Sequence, residues 1–379
     1  MPTLPVHAES VPLSGVRQVM DAAWQLPDSI GLHVGEPSFA TPEHVLAAAS
    51  SALSARETRY SPNGGIPQLR AAIAEKLLRH NGLTVPMNRI AVTAGGMQAL
   101  HLAMSAMLHT GDEVLIPDPG WPNFEMAATL VQATPVHYPL RAEHGFLPEV
   151  AELEARITPR TRAILINSPS NPIGSVLTEN LAEKLCRFAD EHDLWVISDE
   201  CYDQLTFDVP HVSLGRFDTA HRVFGCFSFS KTYAMTGLRV GYLAAPDDTT
   251  AATLTKLQET VVSCVNTPAQ FAALAALTGP QDIVETMRLA YRDRRDAAVE
   301  FLDRHGVGYL RPQGAFYLWI DVRDRCGGDV RSWTMDRLRR HGVAVGPGDA
   351  FGPSGQGWVR VSLATETEAL LEGLRRLVA

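Results

Sequence analysis

Between residues 89 and 246 the chain repeats one pattern: a short apolar run, a turn, then a helix-like stretch. The runs are IAVTA, EVLIPD, TPVHYPL, RAILINS, LWVISDE, RVFGCFSFS and VGYLAAP. Runs this short and this apolar read as strands buried on both faces. Helices between them return the chain so that successive strands run parallel. The pattern predicts an α/β fold built on a mostly parallel seven-stranded sheet with helices on both faces. Ligands of such sheets bind beyond the carboxyl ends of the strands, so the residues just after each run are the first candidates for function.

The flanks read differently. An N-terminal arm to about residue 32 contains one helix near 16–24. Thr41 before Pro42 reads as an N-cap with proline at the first helical position, opening a helix to about residue 55. A turn-rich loop, YSPNGG from Tyr60, precedes an amphipathic helix over 66–80 with Leu69, Ile73 and Leu77 at helical spacing. Beyond about residue 257, helices are expected over 269–277, 283–305 and 330–341. Strands are expected at GAFYLWIDV, GVAVGPG and WVRVSL, and Thr365 with Glu368 reads as a capping box before the last helix. At 379 residues, two domains are expected: a large α/β domain over 33–270, and a smaller α+β domain from 1–32 and 271–379.

Charge and composition exclude several functions. The net charge of −9, without a Lys/Arg block, argues against a nucleic-acid surface. Five scattered cysteines form no CxxC pair, the histidines form no HExxH, and no GxGxxG opens the alternating region. No disulfide framework, metal site or nicotinamide site is therefore expected. Without a signal-peptide pattern or a bilayer-length apolar run, a cytoplasmic, non-membrane protein is the expectation.

One lysine stands apart. Lys76, Lys184 and Lys256 lie in charged or amphipathic helical sequence and read as solvated. Lys231 lies among Phe224, Phe227, Phe229, Tyr233 and Met235. Desolvation lowers a lysine pKa and makes the amine a nucleophile toward carbonyls. A lysine snorkelling from a strand end fits the composition equally well.

Other candidates collect after the predicted strands. Gly95 and Gly96 open a helix whose free N–H groups could hold phosphate, or form a plain turn. Asp199 follows LWVIS, where a buried carboxylate needs a cationic or protonated partner; a helix cap or ion pair would also serve. Tyr202 could hydrogen-bond the same ligand or pack in the core. Asn171, in SPSNP, could donate from its amide or simply shape the turn. Trp121 could stack on a flat ring or fill the core. Ser228 and Arg239 flank Lys231 and could bind phosphate. Arg360 sits inside the apolar strand WVRVSL, and such a guanidinium wants a carboxylate, from a substrate or from the protein. Together these groups are what pyridoxal 5′-phosphate requires: an amine, an anion for the ring nitrogen, donors for the ring oxygen, a stacking face and a phosphate cup.

The blocks GEPSFATPEH, YSPNGGIPQLR, TAGGMQAL, PDPGWPNF, NSPSNPIG, ISDECYD, SFSKTYAMTGLRVGY and WVRVSL occur in this order along nearly the whole chain. In them the sequence resembles the class I/II aminotransferases, fold type I of the pyridoxal-phosphate enzymes. The resemblance implies transfer of an amino group from an L-amino acid to a 2-oxo acid. Lys231 would form the Schiff base with the cofactor and shuttle the proton, and Asp199 would pair with the ring nitrogen. Tyr202 and Asn171 would bind the ring oxygen, and Trp121 would stack on the ring. The backbone of Gly95, Gly96 and Met97, with Ser228, Ser230 and Arg239, would hold the phosphate. Arg360 would bind the substrate α-carboxylate, helped by Asn171 and the backbone at Gly35. Tyr60 would reach the phosphate of a neighbouring subunit in a homodimer with shared sites. Some aspartate-specific members carry lysine after the two glycines. Met97 stands there in this chain, which weakens the case for a dicarboxylate substrate.

The related fold also carries amino-acid β-lyases, decarboxylases and oxidases, and these stand as the alternative reaction. A non-catalytic cofactor sensor would want a fused DNA-binding domain. Ser228 to Lys231 spells S-x-x-K, but the K-T-G and S-D-N partners of a penicillin-binding site are missing.

Overall fold

All seven apolar runs join one sheet in the computed structural model, which describes residues 3–379. The strands are β1 (Ile90–Thr93), β2 (Glu113–Asp118), β3 (Thr134–Pro139), β4 (Thr161–Asn167), β5 (Trp195–Asp199), β6 (Val223–Ser228) and β7 (Gly241–Ala244). Their spatial order is β1-β7-β6-β5-β4-β2-β3. The pairs among β2 to β6 are parallel, whereas β7 runs antiparallel to both β6 and β1. The exception has a local cause. Only single helical turns, Phe229–Thr232 and Thr236–Leu238, lie between β6 and β7, so no crossover helix returns the chain to the sheet's starting edge.

Consecutive strand residues feed two different cores, as a period of two requires. Val114, Ile116, Ala163, Leu165 and Ile197 pack with the helix Gly96–Met107. Leu115, Ile164, Ile166 and Val196 pack on the opposite face with Leu185 and Phe188 of the helix Glu179–Glu191.

A second, antiparallel sheet comes from the last third of the chain. It comprises β8 (Tyr309–Leu310), β9 (Tyr317–Asp321), β10 (Gly346–Pro347) and β11 (Trp358–Ser362), in the order β10-β11-β9-β8. The helices Asp282–Arg304 and Thr367–Val378 pack against it. The N-terminal arm joins this body: Ile30–Gly31 pairs parallel with Val343–Ala344, and Val19 and Ala23 of the helix Gly15–Ala23 pack on Leu338 and Ala344. Among the described residues no helix is long and apolar enough to cross a membrane.

Several local expectations change. The helix after Thr41 begins at Glu43, and Thr41 donates its hydroxyl to the Ala234 carbonyl at 2.6 Å instead of capping. The last helix starts at Thr367 with Glu366 at its N-cap and no side-chain cap, so Thr365 and Glu368 form no capping box. GVAVGPG forms two separate two-residue strands, because it pairs first with the arm and then with β11.

Lys76 is the largest departure. Instead of being solvated it is 8% exposed, ion-paired with Asp203, and donates to Asn81 Oδ1 at 2.9 Å. Its ammonium lies 4.8 Å from the centre of the Phe227 ring. The helical spacing explains this, since position 76 shares the face of Leu69 and Ile73 that enters the core. Burial alone would raise the Asp203 carboxyl, but the charges of Lys76 and His211 hold it below the usual carboxylate range. Asn81 continues the network to Ser213 Oγ at 2.9 Å, and His211 Nε2 meets Glu200 Oε2 at 2.8 Å. Lys76→Met leaves Asp203 buried without its cation, and a loss of roughly 3–5 kcal/mol is expected in urea unfolding. Adding Asp203→Leu to that variant is expected to recover most of it, since the orphaned charge is then gone.

Candidate active site

All strands of the first sheet but β7 turn their carboxyl ends toward the second sheet, and a cavity of about 340 Å³ opens between the two sheets. Lys231 lies on its floor, in the single turn that follows β6. Its Nζ donates to the Gly35 carbonyl at 2.6 Å, and the Phe316 ring lies 5.9 Å away. Gly35 admits no side chain: a Cβ there would stand 2.0 Å from Tyr317 Oη.

Asp199 ends β5 and is fully enclosed. The Cys201 N–H donates to its Oδ1 at 3.2 Å. Burial, reinforced by the neighbouring Glu200 charge, pushes its carboxyl up to about 7, against the opposing pull of Cys201 and Lys231. Such a group is short of a cation, and a protonated ring nitrogen would supply one. Tyr202, on the same turn, shares a hydrogen bond of 2.8 Å with Tyr317, and burial raises its phenol well above the usual range.

Asn171 links the two sheets. Its Oδ1 accepts from Arg360 Nη1 at 2.9 Å. A guanidinium can only donate, so the other end of the amide is the NH₂, free to donate in turn. Arg360 projects from β11, is buried, and gives its second Nη to the His33 carbonyl at 2.5 Å. The rings of Tyr317 and Phe351 lie 4.4 and 4.8 Å from its guanidinium carbon. Burial lowers its pKa from the ordinary arginine value, and among the described residues no carboxylate pairs with it.

At the opposite end, the helix Gly96–Met107 is capped by Gly95 through backbone alone. The first N–H groups of a helix have no partner within it. Gly95 has φ +81°, and a Cβ there would lie 2.4 Å from the Arg239 guanidinium. Arg239 is steadied by donating to the Thr236 carbonyl at 2.8 Å. Gly96, Met97, Ser228, Ser230 and Arg239 all line this end, so an anion there would meet a helix N-terminus, hydroxyls and a guanidinium together. Trp121 forms part of the wall, set edge-on to Phe124.

The donor set fits pyridoxal phosphate: an amine, a carboxylate in want of a proton, a free amide donor, a flat indole and an anion cup around one cavity. Thus Lys231, Asp199, Tyr202, Asn171, Trp121, Gly35, Gly96, Met97, Ser228, Ser230, Arg239 and Arg360 come together, with Gly95 directly behind. Tyr60 does not join them; it is 89% exposed and outside this chain's cavity. Sequence reasoning passed over Tyr317, which reads there as one aromatic in a strand; its place opposite Tyr202 depends on how the two sheets meet.

The description "Aminotransferase class I and II" fits a family model matching residues 27–377. The chain belongs to the class I and II aminotransferases. It is 41% identical to a probable aspartate/prephenate aminotransferase of Aquifex aeolicus, over 92% of this chain and 90% of that one. It is 38% identical to aromatic-amino-acid aminotransferase 2 of Thermococcus litoralis, over 97% and 96% of the two chains. Its fold superposes with a TM-score of 0.95 on aspartate aminotransferase from Thermus thermophilus with maleate, at 37% identity and covering 100% and 99% of the two chains. This aminotransferase therefore has fold type I and uses pyridoxal 5′-phosphate to transfer amino groups.

The raised carboxyl of Asp199 makes a testable demand on the cofactor-free aminotransferase. Its pKa rises from the ordinary 3.8 to about 7 on folding, so the folded state holds a proton that the unfolded state releases. Stability from this group is full below the unfolded value and is lost as the pH rises through 7. Cofactor-free Asp199→Asn is thus expected to exceed wild type by a few kcal/mol, on the order of one per pKa unit, at pH about 8. The gap should close as the pH falls toward about 4. Urea unfolding across that range measures it.

Proposed function

We propose that Arg360 seats the α-carboxylate of an L-amino acid or 2-oxo acid while Lys231 Nζ takes and returns the α-proton. One observation carries this reading: Arg360 is a buried guanidinium with only neutral protein partners, facing the cavity that holds the amine. A buried cation without a protein anion is costly, and a substrate carboxylate would balance it.

The remaining roles follow from position. Bound pyridoxal phosphate supplies the electron sink for the charge left when the α-proton departs. Asp199 keeps the ring nitrogen protonated, Tyr202 and the Asn171 amide steady the ring oxygen, and Trp121 covers one face. Gly95, Gly96 and Met97, with Ser228, Ser230 and Arg239, hold the phosphate. Lys231, half-buried beside Phe316 and tethered by the Gly35 carbonyl, would supply the amine for the cofactor's aldehyde and the base for the substrate's α-proton. The body over 33–270 and that formed by 1–32 with 271–379 act as two domains that enclose the substrate between them.

Val16, Met20, Met97, Leu100 and Trp121 give the cavity an apolar wall, with Arg17 as a cation on the same helix as Met20. Large apolar and aromatic side chains suit this wall best, in keeping with the relative named for aromatic amino acids. The exposed Tyr60 is read as the phosphate contact to a partner subunit, which makes the working enzyme a homodimer acting in the cytoplasm.

Lys231→Ala is expected to lose the visible absorption of the bound cofactor and to cut turnover at least a thousand-fold, on the order of a lost catalytic base and nucleophile together. Wild-type enzyme mixed with phenylalanine should release the 2-oxo acid and leave pyridoxamine phosphate. Ammonia and pyruvate from a β-substituted substrate would point to a lyase instead. Tyr60→Phe should weaken cofactor binding about ten-fold, the scale of one hydrogen bond to a charged group. Sedimentation of the holoenzyme should give twice the 41.2 kDa chain mass.

A further inference from the structure

Tyr317 has no role in the account so far, yet it touches three of the groups that do. It is 1% exposed and lines the cavity. On β9 it stands opposite Ser362 of β11, which makes Arg360 its diagonal neighbour on the same face of that sheet. The centre of its ring accordingly lies 4.4 Å from the Arg360 guanidinium carbon. Its Oη occupies the space that a Cβ on Gly35 would need, and the Gly35 carbonyl is the tether of Lys231. The same Oη meets Tyr202 Oη at 2.8 Å, the one side-chain hydrogen bond it makes among the described residues.

That hydrogen bond can run either way, and its direction decides what Tyr202 can do. A phenol carries a single proton. If Tyr202 donates to Tyr317, it has no proton left for a ligand. If Tyr317 donates, the Tyr202 proton is free to point into the cavity. Two observations favour Tyr317 as the donor. The Arg360 cation against its ring draws electron density away, which makes its hydroxyl a stronger donor and a weaker acceptor. Burial raises the Tyr202 phenol well above the usual range, which makes it a weak acid suited to accept. A hydroxyl that accepts one hydrogen bond also becomes a better donor in the next. We propose that Tyr317 is a positioning residue: its hydroxyl donates to Tyr202 Oη and turns the Tyr202 proton toward the ring oxygen of pyridoxal phosphate. The proposal rests on the reading of Tyr202 as the ring-oxygen contact. Two phenols thereby connect Arg360, in the carboxylate site, to the ring of the cofactor.

The test titrates the visible band of the holoenzyme with pH. The band changes as the proton shared by the Lys231 nitrogen and the ring oxygen comes off. A donor to the ring oxygen stabilises its anionic form, so removing that donor raises the midpoint. Tyr202→Phe is expected to raise it by about one unit, the scale of one hydrogen bond to a charged group. Tyr317→Phe keeps the ring on Arg360 and removes only the hydroxyl. It is expected to raise the midpoint by about 0.3 unit, the share by which one hydrogen bond strengthens the next. In the double variant Tyr317→Phe should add nothing, because it acts through the Tyr202 proton. An unmoved midpoint in Tyr317→Phe, beside a raised one in Tyr202→Phe, overturns the proposal and leaves the reading of Tyr202 standing. An equal Tyr317→Phe shift with and without the Tyr202 hydroxyl also overturns it, since the effect then takes another path. An unmoved midpoint in Tyr202→Phe refutes both. Should Tyr317→Phe fail to fold, Tyr317→3-fluorotyrosine decides the matter. It keeps the hydroxyl and makes it a stronger donor, so the midpoint should fall, and a midpoint that rises or stays refutes the proposal.

Discussion

The contact between Arg360 and Asn171 is what makes two sheets into one site. Arg360 comes from β11, in the body built by the end of the chain, and Asn171 follows β4 of the large sheet. Buried between them, this hydrogen bond sets the amide's orientation, and with it the direction in which the Asn171 NH₂ points. The same guanidinium holds the His33 carbonyl, which ties in the N-terminal arm. Three distant parts of the chain are thus registered against one another by a single buried cation. The cation is tolerable because neutral acceptors and aromatic faces surround it and a ligand carboxylate can reach it.

The turn after β5 works on two sides. Asp199 and Tyr202 face the cavity, while Glu200 and Asp203 face a second polar network with Lys76, Asn81, His211 and Ser213. The alternation anchors the turn from behind. Its acids are partnered by a lysine and a histidine, so the carboxylate that faces the site keeps its own unmet demand for a proton. Glu200 adds to that demand, since its charge is among the causes that raise Asp199.

Much of this was legible in the sequence. Apolar runs alternating with helices specify the central strands of the large sheet, because a strand buried on both faces cannot be written with polar residues. Lys231 stood out because it is an ammonium among aromatics, and Asp199 because it ends an apolar strand. The sequence misleads at Lys76 because Glu75 and Arg79 lie close by, although its spacing from Leu69 and Ile73 places it on the buried face. Tyr317 gave no signal at all: an aromatic is not unusual in a strand, and it matters only for what it meets.

Sequence alone therefore settled the fold class, and it singled out an amine and a set of groups suited to the cofactor. These depend on local composition and on period, which neighbouring residues carry. Only the tertiary structure decided that Arg360 finds no carboxylate among the described residues, that Tyr202 meets Tyr317 and that Tyr60 lies outside its own cavity. Each of these is a relation between residues far apart in the chain, and which groups pair, or fail to, is decided only when the sheets pack.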